Sequence, residues 1–193
     1  MTDTNEVLSQ LGHASDIVRA RITELEAQVA SLSKGAPSPA PTALVLPAAP
    51  AAPLPKWYQL ALAERGIQEG PGPTDNPRVL AYYRDAGHLE IAHDAVPWCA
   101  AFVGAMLSRA GVKPSGQLNA RSYLDWGRPL SQPARGCVVV FSRGGAWQGH
   151  VTFFDHWIAN APGTMVCLGG NQNDQVCFEA FSTRNVLGYR WPK

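Results

Sequence analysis

Val96-Pro97-Trp98-Cys99-Ala100-Ala101-Phe102-Val103-Gly104-Ala105-Met106-Leu107 reads as a mostly buried helix that opens near Pro97 and stops at Gly111. Cys99, Phe102, Val103, Met106 and Leu107 stand three and four apart, the spacing that gathers side chains on one face of a helix. Proline suits a first turn, where its missing N–H forfeits no bond, and a glycine past the last turn adopts the left-handed conformation that ends a helix. Asp94 is placed to cap the start. Upstream, Trp57, Leu60, Ala61 and Glu64 suit one helix that stops at Gly66, and Pro77, Val79, Leu80 and Tyr83 suit a second that begins after Asp75-Asn76. Downstream the texture changes to short runs rich in β-branched and aromatic residues at 136–142, 149–154, 165–168, 175–179 and 186–190, which read as strands. Helices first and antiparallel strands second give an α+β fold, with the N-terminal helices packed on the sheet.

The residues before this domain have a different character. From Leu8 to Leu32 apolar side chains alternate in steps of three and four, with Leu8, Ser15, Ile22 and Val29 at heptad position a and Leu11, Val18, Leu25 and Leu32 at d. Such a seam predicts a coiled-coil helix over residues 1–34 that self-associates through residues 8–32, an amphipathic helix folded onto the main domain being the alternative. Residues 35–55 are almost all Pro, Ala and small residues, a composition that favours extended conformations and builds no core, so they read as a semi-rigid linker. The remaining segment, 56–193, is the catalytic candidate.

Composition removes several classes of function. Of 193 residues 46% are hydrophobic and 16% charged, and the formal net charge is +1, with Lys and Arg scattered rather than gathered in a stripe. No electrostatic footprint for nucleic acid results. The four cysteines, Cys99, Cys137, Cys167 and Cys177, lack the paired spacing of a structural zinc site, so neither a metal nor another cofactor is expected. The opening Met-Thr-Asp-Thr-Asn-Glu has no basic region followed by an apolar stretch, and no apolar run reaches the length of a membrane span. The expectation is a chain made in the cytoplasm without a signal peptide, with reduced thiols, that reaches any outside target through another system.

Three residues carry the chemistry. Cys99 falls at a helix start, where free N–H groups favour the thiolate that attacks carbonyl carbon. His150, in Gln148-Gly149-His150-Val151-Thr152-Phe153, takes a strand position that would otherwise suit a hydrophobe, and its imidazole is suited to accept the thiol proton and pass it to a leaving amine. His88, His93 and His156 sit in more polar settings and His13 belongs to the heptad segment. A base histidine needs a third group to fix its tautomer, and Asn171 in Gly169-Gly170-Asn171-Gln172 is the candidate, supplied by the neighbouring strand. Asp155 lies five residues beyond His150, an odd spacing that turns it to the opposite face.

Val96-Pro97-Trp98-Cys99-Ala100-Ala101-Phe102, Asn119-Ala120-Arg121-Ser122 with Trp126-Gly127, Gly149-His150-Val151, Gly169-Gly170-Asn171-Gln172 and Leu187-Gly188-Tyr189-Arg190-Trp191-Pro192 together resemble a papain-like cysteine hydrolase family of phages and bacteria, related to CHAP and NlpC/P60 domains. The resemblance spans nearly all of residues 57–192. It implies an amidase or endopeptidase that cuts peptidoglycan stem peptides or cross-bridges through an acyl-enzyme, as an endolysin or an antibacterial effector. In CHAP relatives an acidic residue often stands beside the histidine; its counterpart here is Gly169 or Asn171. Relatives also tend to carry Asp where this chain has Cys137. Trp98, Trp126 and Trp147 are candidates to face sugar or peptide and Arg121 to hold a substrate carboxylate, core or rim positions being the alternative for each. Two other functions compete: a catalytically silent adaptor of a phage tail or secretion machine, and an intracellular cysteine protease or deamidase.

Overall fold

The computed structural model describes Thr23, Glu24, Glu26 and residues 53–193. Thr23, Glu24 and Glu26 are helical and exposed. The expected coiled-coil seam and the Pro/Ala linker otherwise lie outside the described residues, and with them the expected self-association.

Within residues 53–193, helix α1 spans Lys56–Ala63, α2 Pro77–Asp85 and α3 Cys99–Arg109. Asn76 caps α2, its side chain accepting from the Arg78 N–H, and Pro77 fills the first helical position. At α3 the expectation is corrected: the helix begins at Cys99, Trp98 is the N-cap residue, and no side chain caps it. Asp94, buried at 3% exposure, accepts instead from the N–H groups of Gly70 and Asn76, both at 2.7 Å. It ties together the two loops that flank α2.

Six antiparallel strands follow: β1 Arg128–Leu130, β2 Val138–Ser142, β3 Gly149–Trp157, β4 Thr164–Gln172, β5 Gln175–Ser182 and β6 Val186–Trp191. Their order in the sheet is β1-β6-β2-β3-β4-β5. The α+β expectation holds, with β1 as an addition. That strand is three residues long and includes Pro129, which an edge position tolerates because it has no N–H to give to a ladder. Among the described residues no helix is long and apolar enough to cross a membrane.

The sheet has two apolar faces. Val138, Val140, Val151, Phe153 and Leu168 pack with Tyr58, Tyr82, Trp98, Phe102 and Met106 from the helices, while Val139, Phe141, Phe154, Met165, Cys137 and Cys167 form a smaller cluster on the other side. Phe102 is fully buried between the Trp98, Tyr82 and Phe153 rings, a position whose truncation to alanine costs about 3–5 kcal/mol. Glu64 braces the helices: it accepts from Arg78, Arg109 and Tyr82 at 2.7–2.9 Å. Burial alone would raise its carboxyl, and these bonds and charges bring it below the usual range.

Candidate active site

Cys99, the first residue of α3, is 7% exposed. Burial pushes its thiol up in pKa, against the backbone N–H of Val151, the charge of Arg143 and the N–H groups at its own helix start. Desolvation thus acts against the helix start, and it is the larger effect on the thiol. The sheet leaves the β4 side of Val151 unpaired. β3 pairs with β4 from Phe153↔Leu168 to Trp157↔Met165, but no pairs join β4 to residues 149–152. The β3–β4 ladder stops short of His150.

One residue away stands His150, 1% exposed. Its ring shares a face of the sheet with Phe141 and Phe181, and Phe181 stacks on it at 5.5 Å and 27°. Asp155, as expected, faces away, accepting from Tyr58 on the helix side at 2.6 Å. The imidazole Nε2 lies 3.1 Å from Gln172 Oε1. The Gln172 amide cannot turn around, because its nitrogen donates to the Cys177 carbonyl at 2.6 Å. His150 thus carries its proton on Nε2 and donates it to Gln172, which leaves the lone pair on Nδ1. Nδ1 is buried with no hydrogen-bond partner among the described residues. Burial lowers the His150 pKa to about 4, although the Gln172 bond acts to raise it. No hydrogen bond joins the Cys99 sulfur to the His150 ring.

Asn171, the expected third residue, points elsewhere. Its amide nitrogen donates to Glu69 Oε1 at 3.0 Å, and Gln172 occupies the place beside His150. The cause is a bulge. Register shifts between Gly169 and Gln172, and Asn171 sits in the left-handed region at φ 56. Two glycines make room. A Cβ on Gly169 would stand 2.4 Å from Gln172 Oε1, and one on Gly170 2.4 Å from Trp98 Cζ3 and 2.7 Å from Phe102 Cβ. The first lets the amide reach the histidine; the second lets the start of α3 lie close to β4.

The expected substrate residues divide. Trp98 is fully buried, stacked on Tyr82 at 5.7 Å with its indole N–H on Glu69, so it presents no face to a ligand and is a core residue. Arg121 donates through Nε to the Gln148 carbonyl at 2.7 Å and braces the β2–β3 loop. Trp126 donates to the Lys113 carbonyl at 2.8 Å and lines a separate open cavity of about 490 Å³. Trp147 is 74% exposed on the β2–β3 loop. His88, His93 and His156 bond Glu90, Asp75 and Asp155 respectively, away from Cys99. All four cysteines are free thiols; Cys137 and Cys167 lie in the small apolar cluster, where burial pushes each up to about 12.

Sequence reasoning missed Gln172 and Glu69. Glu69 takes hydrogen bonds from both Trp98, next to Cys99, and Asn171, next to Gln172, and burial raises its carboxyl against the Trp98 N–H. Nothing local marked it. Gln172 had a signal in the Gly-Gly-Asn that precedes it, since glycines and a left-handed asparagine accompany a bulge that re-aims the next side chain.

A comparison with curated proteins found no match to this chain. The family model described as CHAP domain matches residues 91–171, a span that holds Cys99 and His150 and ends one residue before Gln172. Over that span the chain is similar to CHAP domains.

Proposed function

We propose that residues 56–193 cut an amide bond of a peptidoglycan stem peptide or cross-bridge by a Cys-His acyl-transfer mechanism, acting as an endolysin or an antibacterial effector that another system releases or exports. The observation that carries this reading is the unpartnered Nδ1 of a histidine whose other nitrogen is held by Gln172, in a fold where Cys99 opens a helix.

The Cys99 thiol gives its proton to His150 Nδ1 as its sulfur attacks the scissile carbonyl carbon, and Gln172 steadies the imidazolium through Nε2. The Cys99 N–H, unused within its helix, donates to the oxyanion. Collapse of the tetrahedral adduct breaks the C–N bond, and the proton on Nδ1 passes to the leaving nitrogen. Water, deprotonated by the same nitrogen, then hydrolyses the thioester and restores the thiol. Because both groups rest neutral, the ion pair forms only as substrate arrives and the sulfur swings from the Val151 N–H toward the ring.

Digestion of purified peptidoglycan followed by mass spectrometry of the fragments tests this. New amine and carboxyl ends are expected from the wild type and none from Cys99→Ala or His150→Ala. Binding without turnover would instead identify a silent adaptor, and cleavage of a protein but not of muropeptides an intracellular protease.

A further inference from the structure

The β2–β3 loop holds a guanidinium that the mechanism above does not use. Arg143 is exposed, and only its backbone N–H is engaged, on the Gln148 carbonyl at 3.4 Å. The loop that carries it is braced: Gln148 N–H donates to the Gly145 carbonyl at 3.1 Å, Gly145 N–H to Gln148 Oε1 at 2.9 Å, and Arg121 to the Gln148 carbonyl. Arg121 gives its Nε–H to the loop, while the Arg143 side chain has no partner among the described residues. It stands at an open cleft of about 400 Å³ that is also walled by Phe141, Phe181 and His150, with no acidic side chain in the lining.

We propose that this cleft is the subsite for the leaving amine, and that Arg143 makes it selective for an amine whose own α-carbon bears a free carboxylate. The side of the scissile bond follows from the walls. His150 lines the cleft and Cys99 does not, so the group held there is the one that takes the proton and departs, rather than the acyl group left on sulfur. Phe141 and Phe181, stacked at 4.6 Å, offer an apolar wall to the carbon skeleton, and a guanidinium pairs with a carboxylate through two parallel hydrogen bonds. The charge also reaches the reacting groups: behind the larger effect of burial, Arg143 lowers the pKa of both the Cys99 thiol and the His150 imidazole.

The inference rests on the hydrolase reading and narrows it. When the bond between the glycan's lactyl group and the first amino acid is cut, the leaving residue has its carboxyl tied in the next peptide bond. A glutamyl residue linked through its side chain keeps its α-carboxylate free, as does a chain-terminal residue. Arg143 therefore points to an endopeptidase acting within the stem rather than an amidase at the glycan.

The test uses one stem tetrapeptide made in two forms, with every carboxylate free and with every carboxylate as its primary amide. The full chain is expected to cut the free form at least ten-fold faster in kcat/KM, and its Cys99→Ala variant to bind that form at least ten-fold tighter by calorimetry. Arg143→Gln should bring both ratios close to one, and Arg143→Lys should keep part of each. Equal handling of the two forms by the chain with Arg143, or ratios that survive Arg143→Gln, overturns the proposal. A wild type that cuts neither form while its Cys99→Ala variant binds the free form selectively would refute the hydrolase reading and leave the subsite standing; binding of neither form overturns the subsite.

Discussion

Gln172 grips His150 from one side only: its amide oxygen meets the imidazole Nε2 at 3.1 Å while its nitrogen is fixed on the Cys177 carbonyl at 2.6 Å. A neutral amide anchored in this way sets a tautomer without adding charge. Gln172→Leu removes the anchor and should lower kcat about 10²-fold, the size of a general-base contribution, with a smaller change in KM. Gln172→Glu should instead move the acid limb of the pH–rate profile upward, because a carboxylate beside Nε2 favours the protonated ring. Steady-state kinetics from pH 4 to 9 distinguish the two, and an acid limb that stays in place in Gln172→Glu would remove Gln172 from the site.

Gly169 and Gly170 are predicted to fail in different ways. At Gly169 the added methyl meets the end of the Gln172 side chain at 2.4 Å, so Gly169→Ala should push the amide off the histidine and lower kcat ten-fold or more, with a loss of stability of about 1 kcal/mol. At Gly170 the methyl meets the Trp98 ring and the Phe102 Cβ, which belong to a packed core. Gly170→Ala should cost about 3 kcal/mol in chemical denaturation, since overpacking a closed core forces side chains or backbone to shift.

His150 gives stability a pH dependence of known sign. Its pKa is about 4 in the folded protein, against an ordinary value of 6.5, so between those values the unfolded chain binds a proton that the folded one refuses. The corresponding stability is complete above pH 6.5 and is lost as pH falls toward 4, on the order of 3 kcal/mol in all. Denaturant unfolding at pH 7.5 and pH 4.5 should show a difference between the two pH values that is smaller in His150→Gln by about that amount. An equal fall in wild type and variant would place the effect on other groups.

Cys99 should react slowly when no substrate is present. The residue is 7% exposed and its thiol is raised by burial, and alkylating agents need an accessible thiolate. Peptide mapping after brief treatment with iodoacetamide at pH 7 should find Cys99 modified at least ten-fold more slowly than a free thiol. Rapid, selective labelling of Cys99 would show that the resting site is ionised and open.

Much of this molecule was legible in the chain because its elements carry strong periodic signals. The three helices and five of the strands were marked by apolar spacing and by glycine and proline at their ends, and Cys99 and His150 stood out as reactive residues at element starts. β1 was not, since three residues including Pro129 make no pattern. The start of α3 was read two residues early because Pro97 suits a first turn equally well in principle, whereas Trp98, buried against Tyr82, fixes where the turn begins. Trp98 was legible as a residue type but not as an environment: burial in the core claimed it. The third residue escaped for a geometric reason. Leu168 and Gly170 face the helices, so unbroken alternation would send Gln172 there too and give Asn171 to the histidine's face. One left-handed residue reverses that order.

That kink in β4 has a consequence for any comparison of this chain with its relatives. Where one residue is absorbed by a bulge, counting along the backbone and measuring through space give different counterparts, and strict alternation along β4 lands one place short of the histidine's partner, on Asn171. The side chain to seek in a relative is whichever one fills the gap over the position of Gly169, whatever its place in the alignment.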